Sequence, residues 1–388
     1  MAESEDNRAV IAVRYLSLAC LLVACGTVPP ASQPAPTAAP ISTAAPAATS
    51  SLAAPDSTVP PIAIVSDVDG GARLYLASPD GERRPLASAS APTVYESSPT
   101  WSPDGQRLAF HRISEFGISE LVVHDPTTGA ERMVAEVGPP STTDPRPSWS
   151  ADGSRIAYWS TSGTDNEIMV ADAGGGTAPV NLTQHAAADR YPAWSPDGAW
   201  IAFWSDRSGR GAVWLAPADG GDLRQLVEVG AVYGPVRWSP DSSRIAVPVQ
   251  QPGERWLIQI VDLEGTPHAE LSADGSVLGA SWAPDGQSIA YWQIIGLVRQ
   301  LWLASADGGV PRPIGPRPAA AEYRLVSHPD NRWPSPPSWS PDSTAFAVEW
   351  SAGGRVEVLV VQREGDRWAS LTPPETIEGT PDWRPSPQ

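Results

Sequence analysis

The chain has 388 residues, long enough for a large core, and its 41% apolar and 18% charged content lies outside the profile of a disordered protein. Acidic residues outnumber basic ones 44 to 26, the net charge is −18, and every basic residue is arginine. So acidic a chain without a basic cluster excludes phosphate-backbone binding, and with it a nucleic-acid partner. Both cysteines, Cys20 and Cys25, fall near the N-terminus. The body therefore carries no Cys-ligated metal, iron–sulfur cluster or disulfide framework.

Residues 15–24 form an apolar run of ten after Arg14. A bilayer span needs about 20 residues, so this length suits the core of a signal peptide. The run ends in Leu22-Val23-Ala24-Cys25-Gly26, which resembles the bacterial lipobox. That resemblance implies removal of residues 1–24 as a lipoprotein signal peptide and lipidation of Cys25. Of the next 34 residues, 27–60, 8 are Pro, 10 are Ala, 10 are Ser or Thr, and only Asp56 is charged. Such a stretch cannot bury enough apolar surface to order itself. With Cys25 it is expected to form a disordered tether over residues 25–60.

The remainder, 61–385, is built on a repeat. A Trp-[Ser/Ala]-x-Asp signature starts at Trp101, Trp149, Trp194, Trp238, Trp282 and Trp339, with a degenerate seventh Trp at Trp383. The spacings are 48, 45, 44, 44, 57 and 44 residues. Each intact signature runs through a turn of the Ser-Pro-Asp-Gly kind into an apolar second strand such as 155–159 or 200–204. A third strand, such as 213–216, and a short fourth, such as 180–183, follow. Strands apolar on both faces suit sheets stacked between neighbours. Four strands per repeat without a helical period predict an all-β fold, a β-propeller of four-stranded antiparallel blades. The chain enters the repeat at Ile62-Ala63-Ile64-Val65, a second-strand sequence, and ends on a first-strand sequence at Trp383. Seven blades are therefore expected, the first closed by the C-terminal strand so that no sheet edge is left open.

Trp194-Ser195-Pro196-Asp197-Gly198, followed by Ile201-Ala202-Phe203 and an Asp219-Gly220-Gly221 turn, resembles the WD-like repeat of TolB propellers. The resemblance extends over residues 62–384 and implies the propeller fold.

Motifs for chemistry are sparse. There is no His-Glu-x-x-His, no phosphate-binding glycine–lysine loop and no Gly-x-Ser-x-Gly elbow. Asp104, Asp152, Asp197, Asp241, Asp285 and Asp342 recur because the turn uses them. Trp159, Trp204, Trp214, Trp292 and Trp302 sit in repeat strands, where packing is the default role. Of the histidines, His111, His185 and His328 are placed on the end carrying the blade-to-blade connections, and His124 and His268 on the other. His111, His185 and His328 are expected at the surface, with no metal and no other cofactor.

The connection from Gly315 to Pro336 has 22 residues, beyond the ~12–15 that usually marks a functional or disordered loop. It carries Tyr323, Arg324, His328, Arg332 and Trp333, residue types common at binding hot spots. Beside it, Arg112, Phe116, Arg207, Arg210 and Arg299 follow second strands and are expected to make a locally basic face. The sequence thus points to a monomeric, membrane-tethered, non-enzymatic propeller at the bacterial cell envelope, outside the cytoplasmic membrane. It would bind a protein, peptide or glycan. The alternative is a metal-dependent polysaccharide lyase of the oligogalacturonide type, or another carbohydrate-active propeller enzyme.

Overall fold

The computed structural model describes residues 61–386 apart from 68–70, 80, 87–94, 114–116, 139–145, 161–164, 232–233, 254, 272–274, 296–297, 317–334, 353–354, 366 and 373–377. The expected signal peptide (1–24), Cys25 and the expected tether (25–60) lie outside these residues. Among the described residues the chain forms seven antiparallel sheets of four strands each, with no helix. Six sheets are continuous in sequence, spanning 95–138, 148–181, 189–228, 237–271, 276–314 and 338–370. The remaining blade, numbered first, takes its inner strand from the far end of the chain. Glu378–Trp383 pairs with Ile62–Ser66, with Ile62 opposite Trp383 and Ser66 opposite Glu378. The seven expected blades and the C-terminal closure are both present.

Each Trp-bearing strand is the innermost of its blade, and these strands touch one another around the axis. An inner strand pairs on one side only, so it tolerates residues that a central strand would reject. Accordingly, Pro99, Pro147, Pro192, Pro337 and Pro381 all stand two residues before the repeat Trp. One residue earlier, Ser98, Tyr191, Gly279 and Thr380 take left-handed φ values of 56°, 57°, 60° and 47°. The pairing register shifts across these residues in the second, fourth and sixth blades. The same bulge thus recurs around the ring.

The core lies between blades. Second-strand triplets such as Leu108-Ala109-Phe110, Ile201-Ala202-Phe203 and Ile289-Ala290-Tyr291 are buried on both faces, at no more than 1% exposure. Every blade-to-blade interface holds its own apolar cluster. Trp194 and Ile201 pack on Ala157 between the third and fourth blades, and Trp383 packs with Ala345 and Val358 between the seventh and first.

Two repeated devices fix the blades. The Ser after the Trp is buried and its Oγ spans the turn. Ser102, Ser150, Ser195, Ser239 and Ser340 each donate to the Asp two residues on at 2.5–2.6 Å. Each also accepts the backbone N–H five residues on at 2.9 Å. The sixth blade has Ala283 there, and its Asp285 is held by Arg363 from the seventh blade. The recurring aspartates are therefore turn residues, as expected. In the second device, the indole N–H of the Trp donates to a carbonyl in the inner strand of the blade before it. Trp101 reaches Asp382, Trp149 reaches Thr100, Trp238 reaches Ala193, Trp282 reaches Arg237 and Trp339 reaches Ser281, at 2.9–3.2 Å. Arginines cap several of these indoles. Arg107, Arg155 and Arg244 lie 5.2, 4.9 and 5.3 Å from the rings of Trp149, Trp194 and Trp282, each in the next blade.

Candidate functional site

Strand direction gives the ring two unlike ends. One carries the blade-to-blade connections and the turns between second and third strands. The other carries the Ser-Pro-Asp turns. Tyr323, Arg324, His328, Arg332 and Trp333, together with Phe116, lie outside the described residues. Near them in sequence, Ile295 closes the second strand of the sixth blade at 50% exposure. That blade sends out the long connection. Tyr95, at the same end of the second blade's inner strand, is 56% exposed.

The arginines expected to make a basic face are mostly engaged elsewhere. Arg207 is partly buried, pairs with the buried Asp189 at 2.9 Å and stacks over Phe203 and Trp214. Arg112 lies along its blade over Phe110, bridging Glu96 and Glu131 at 2.8 Å each. Arg299 is half-buried near Glu349, and burial lowers its pKa. Arg210 is exposed, 3.8 Å from Glu228. The expected basic face is thus corrected: Arg112 and Arg207 are neutralised by carboxylates at the head of their own inner strands. Glu96 and Asp189 each stand five residues before the repeat Trp, so the two pairings occupy equivalent places in their blades.

One histidine also needs correction. His111 is buried at 2% exposure, not at the surface, and His124 is buried to the same degree. His111 Nδ1 lies 3.4 Å from the Ser119 hydroxyl, and His124 Nδ1 lies 3.5 Å from Glu131. The nearby His124, opposed by burial and helped by Arg112, brings the Glu131 carboxyl down to about 2. His185 and His268 are exposed, and His268 sits 3.0 Å from Asp262. Among the described residues no group of three His, Cys, Asp or Glu side chains is placed to hold a metal ion.

The inner strands line a cavity of about 360 Å³ on the axis of the ring, open to solvent and at the level of the repeat tryptophans. Its wall is the inner strands: a band of prolines, the edges of four tryptophans, and the residues that precede each Trp. Those preceding residues include Thr100, Ser148, Arg237, Ser281 and Asp382. Arg146 joins them from the third blade. Asp382 Oδ2 accepts the Trp101 backbone N–H at 2.9 Å. Burial pushes the Asp382 carboxyl up, against the pull of Arg146, that N–H, Ser338 and Arg237. The Ser148 and Ser338 hydroxyls accept the backbone N–H of Trp194 and Trp383, at 2.8 and 2.7 Å.

The family profile described as TolB beta propeller domain matches residues 62–323, more than half of the chain. The chain belongs to that family. Among solved structures, this TolB-type propeller is similar to TolB from Acinetobacter baumannii, at 22% identity and a TM-score of 0.48. That match covers 64% of this chain and 62% of the Acinetobacter protein, so the chain accounts for less than two thirds of its relative's length. It is also similar to an oligogalacturonate lyase in complex with manganese, at 16% identity, 78% and 85% coverage, and a TM-score of 0.59. Prolyl oligopeptidase B from Galerina marginata matches at 13% identity, 84% and 52% coverage, and a TM-score of 0.57. At such identities, these last two likenesses speak to the fold alone. In the TolB-type repeat of this chain, Trp101, Trp149, Trp238, Trp282 and Trp339 serve as the blade-to-blade hooks described above, and Trp194 and Trp383 are buried with them as packing centres.

Proposed function

We propose that this TolB-type propeller is a non-enzymatic binding module that captures a protein or peptide at the end carrying the blade-to-blade connections. The observation that carries the reading is Ile295. Ile295 is 50% exposed, whereas the apolar side chains of the other second strands are buried or partly buried among the described residues, and it stands in the blade that sends out the 22-residue connection. Exposed apolar side chains beside a long loop rich in Tyr, Trp and Arg suit recognition by hot-spot contacts. The carboxylates Glu96, Asp189 and Glu131 and the turn aspartates are engaged in ion pairs and turn contacts. They hold the frame rather than stand ready for acid–base work. On the same reading, Cys25 carries the lipid and residues 25–60 hold the ring away from the membrane, placing capture at the cell envelope.

The test uses the full chain in its Cys25→Ala form, which this reading expects in the soluble fraction rather than the membrane pellet. Replacing residues 318–333 with a short Gly/Ser linker is expected to leave the melting temperature unchanged and abolish partner capture from an envelope extract. Undiminished capture by the folded variant would remove the connection end as the site.

A further inference from the structure

An Asp-Gly step is prone to attack on itself, because glycine puts no side chain in the way of its own amide nitrogen. Six such steps fall among the described residues, and they divide into two kinds. Four belong to the Ser-Pro-Asp turns: Asp104-Gly105, Asp152-Gly153, Asp197-Gly198 and Asp285-Gly286. Each of these carboxylates accepts the backbone N–H two residues on, at 2.8–3.0 Å. Each also accepts a serine hydroxyl or, at Asp285, the Arg363 guanidinium. Three of their glycines are crowded. A Cβ on Gly105 would lie 2.7 Å from the Pro385 carbonyl, and one on Gly153 or Gly198 would lie 3.3 Å from a neighbouring side chain. The other two steps, Asp219-Gly220 and Asp307-Gly308, join the third and fourth strands of the fourth and sixth blades. Their aspartates are 97% and 86% exposed, and nothing stands within 4 Å of where a Cβ on Gly220 or Gly308 would be. Each carboxylate meets one arginine of the preceding blade: Arg155 lies 3.6 Å from Asp219, and Arg244 lies 3.1 Å from Asp307. These are two of the arginines that cap the repeat indoles. Each also donates to the carbonyl just before its aspartate, Ala218 at 3.2 Å and Ala306 at 3.1 Å.

We propose that Asp219-Gly220 and Asp307-Gly308 are sites of spontaneous isoaspartate formation, from which the Ser-Pro-Asp turns are protected. In the first step the glycine nitrogen bonds to the aspartate Cγ, and the carboxyl hydroxyl leaves with the amide proton as water. That closes a succinimide ring. In the second, water adds to the former main-chain carbonyl carbon of the aspartate and breaks its bond to nitrogen. The main chain then runs through Cβ and Cγ, one methylene longer, and the former carbonyl is the new carboxylate. Solvent water is the only co-reactant, and the net charge is unchanged. Ring closure requires the side chain to turn until Cγ faces the next nitrogen at ~3–3.5 Å. Asp219 and Asp307 do so against one ion pair each, whereas the turn carboxylates must first break at least two hydrogen bonds. The product holds its carboxylate directly on Cα, so the arginine cap of the preceding blade loses its partner. Because both sites lie on the turns between third and fourth strands, they stand or fall independently of capture at the connection end.

The experiment ages the full chain at neutral pH, both folded and in urea. Isoaspartate is read step by step by mass spectrometry of proteolytic peptides, with methyl transfer by an isoaspartyl methyltransferase as a second measure. The folded chain is expected to accumulate isoaspartate at positions 219 and 307, with the four turn steps at least ~10-fold slower. In urea the six rates are expected to converge, because the contacts that separate them are gone. Ser195→Ala is expected to raise the rate at Asp197-Gly198 several-fold in the folded chain. Should that variant fail to fold, Ser102→Ala decides through Asp104-Gly105. The isomerised chain, separated from the fresh one by chromatography, is expected to melt at a lower temperature, and an unchanged transition would overturn the loss of the arginine caps. Equal rates at all six steps in the folded chain, a turn step faster than both exposed ones, or the same spread of rates in urea would overturn the proposal.

Discussion

Ser150 illustrates what one repeated residue does. Its hydroxyl is buried at 3% exposure, donates to Asp152 at 2.6 Å and accepts the Arg155 N–H at 2.9 Å. Removing it strands a backbone donor and frees the aspartate. Ser150→Ala should therefore cost about 1–2 kcal/mol at neutral pH, measurable by urea titration. The hydrogen bond from Ser150, followed by those from Ser154, lowers the Asp152 carboxyl to about 2 from 3.8. A depressed acid contributes stability that is fully present above its unfolded value and disappears as the pH falls through its folded value. The difference between wild type and variant should thus narrow from pH 4 down to pH 2. A constant difference across that range would show that the Asp152 contact contributes nothing. Ala283, at the equivalent place in the sixth blade, does without this lock and relies on Arg363 for its aspartate.

At the scale of the element, the inner strands are the informative ones. Thr380 occupies the left-handed bulge position that Gly279 fills in the sixth blade, and its Oγ1 is buried without a hydrogen bond. A left-handed φ costs an ordinary residue ~1–2 kcal/mol, and an unmade buried hydrogen bond adds ~1 kcal/mol or more. Glycine's greater freedom in the unfolded chain offsets ~0.5–1 kcal/mol of that. Thr380→Gly should accordingly raise the melting temperature by a few degrees, and a lower value would mean that the Thr380 methyl is packed well enough to outweigh the strain. Strand identity was legible from sequence because buried faces leave a compositional mark: 200–204 and 288–292 could scarcely be anything else. Pairings across a blade were not. That Arg207 follows a second strand is visible in the sequence, but that Asp189 faces it across the hairpin depends on register. Likewise, His111 and His124 alternate toward neighbouring blades, and only the stacking of blades decides that both are covered. The candidate binding residues between 323 and 333 lie outside the described residues.

At the scale of the whole molecule, the ring depends on one strand contributed by the last residues of the fold. Trp383 is 5% exposed and packs between the seventh and first blades. Deleting residues 378–388 removes that side chain, worth ~3–5 kcal/mol when buried, and opens the edge of Ile62–Ser66. The truncated chain should melt far below the intact one, whereas deletion of residues 27–57 should leave the transition where it is. Equal transitions for the two truncations would contradict closure as a source of stability.

The indole hooks also set a folding order. Four of the five span 45–58 residues, whereas the hook from Trp101 to Asp382 spans 281. By the logarithmic growth of loop entropy, bringing the ends of the longer segment together costs only ~1.6 kcal/mol more than a 45-residue closure. The equilibrium penalty is small, but the kinetic one differs in kind, because distant contacts form late. Neighbouring blades can stack as the chain emerges, while the final clasp must wait for the last turn of synthesis. Until then the newborn protein is an open arc with two bare edges, each the natural complement of the other, and a second unfinished copy offers the same pair.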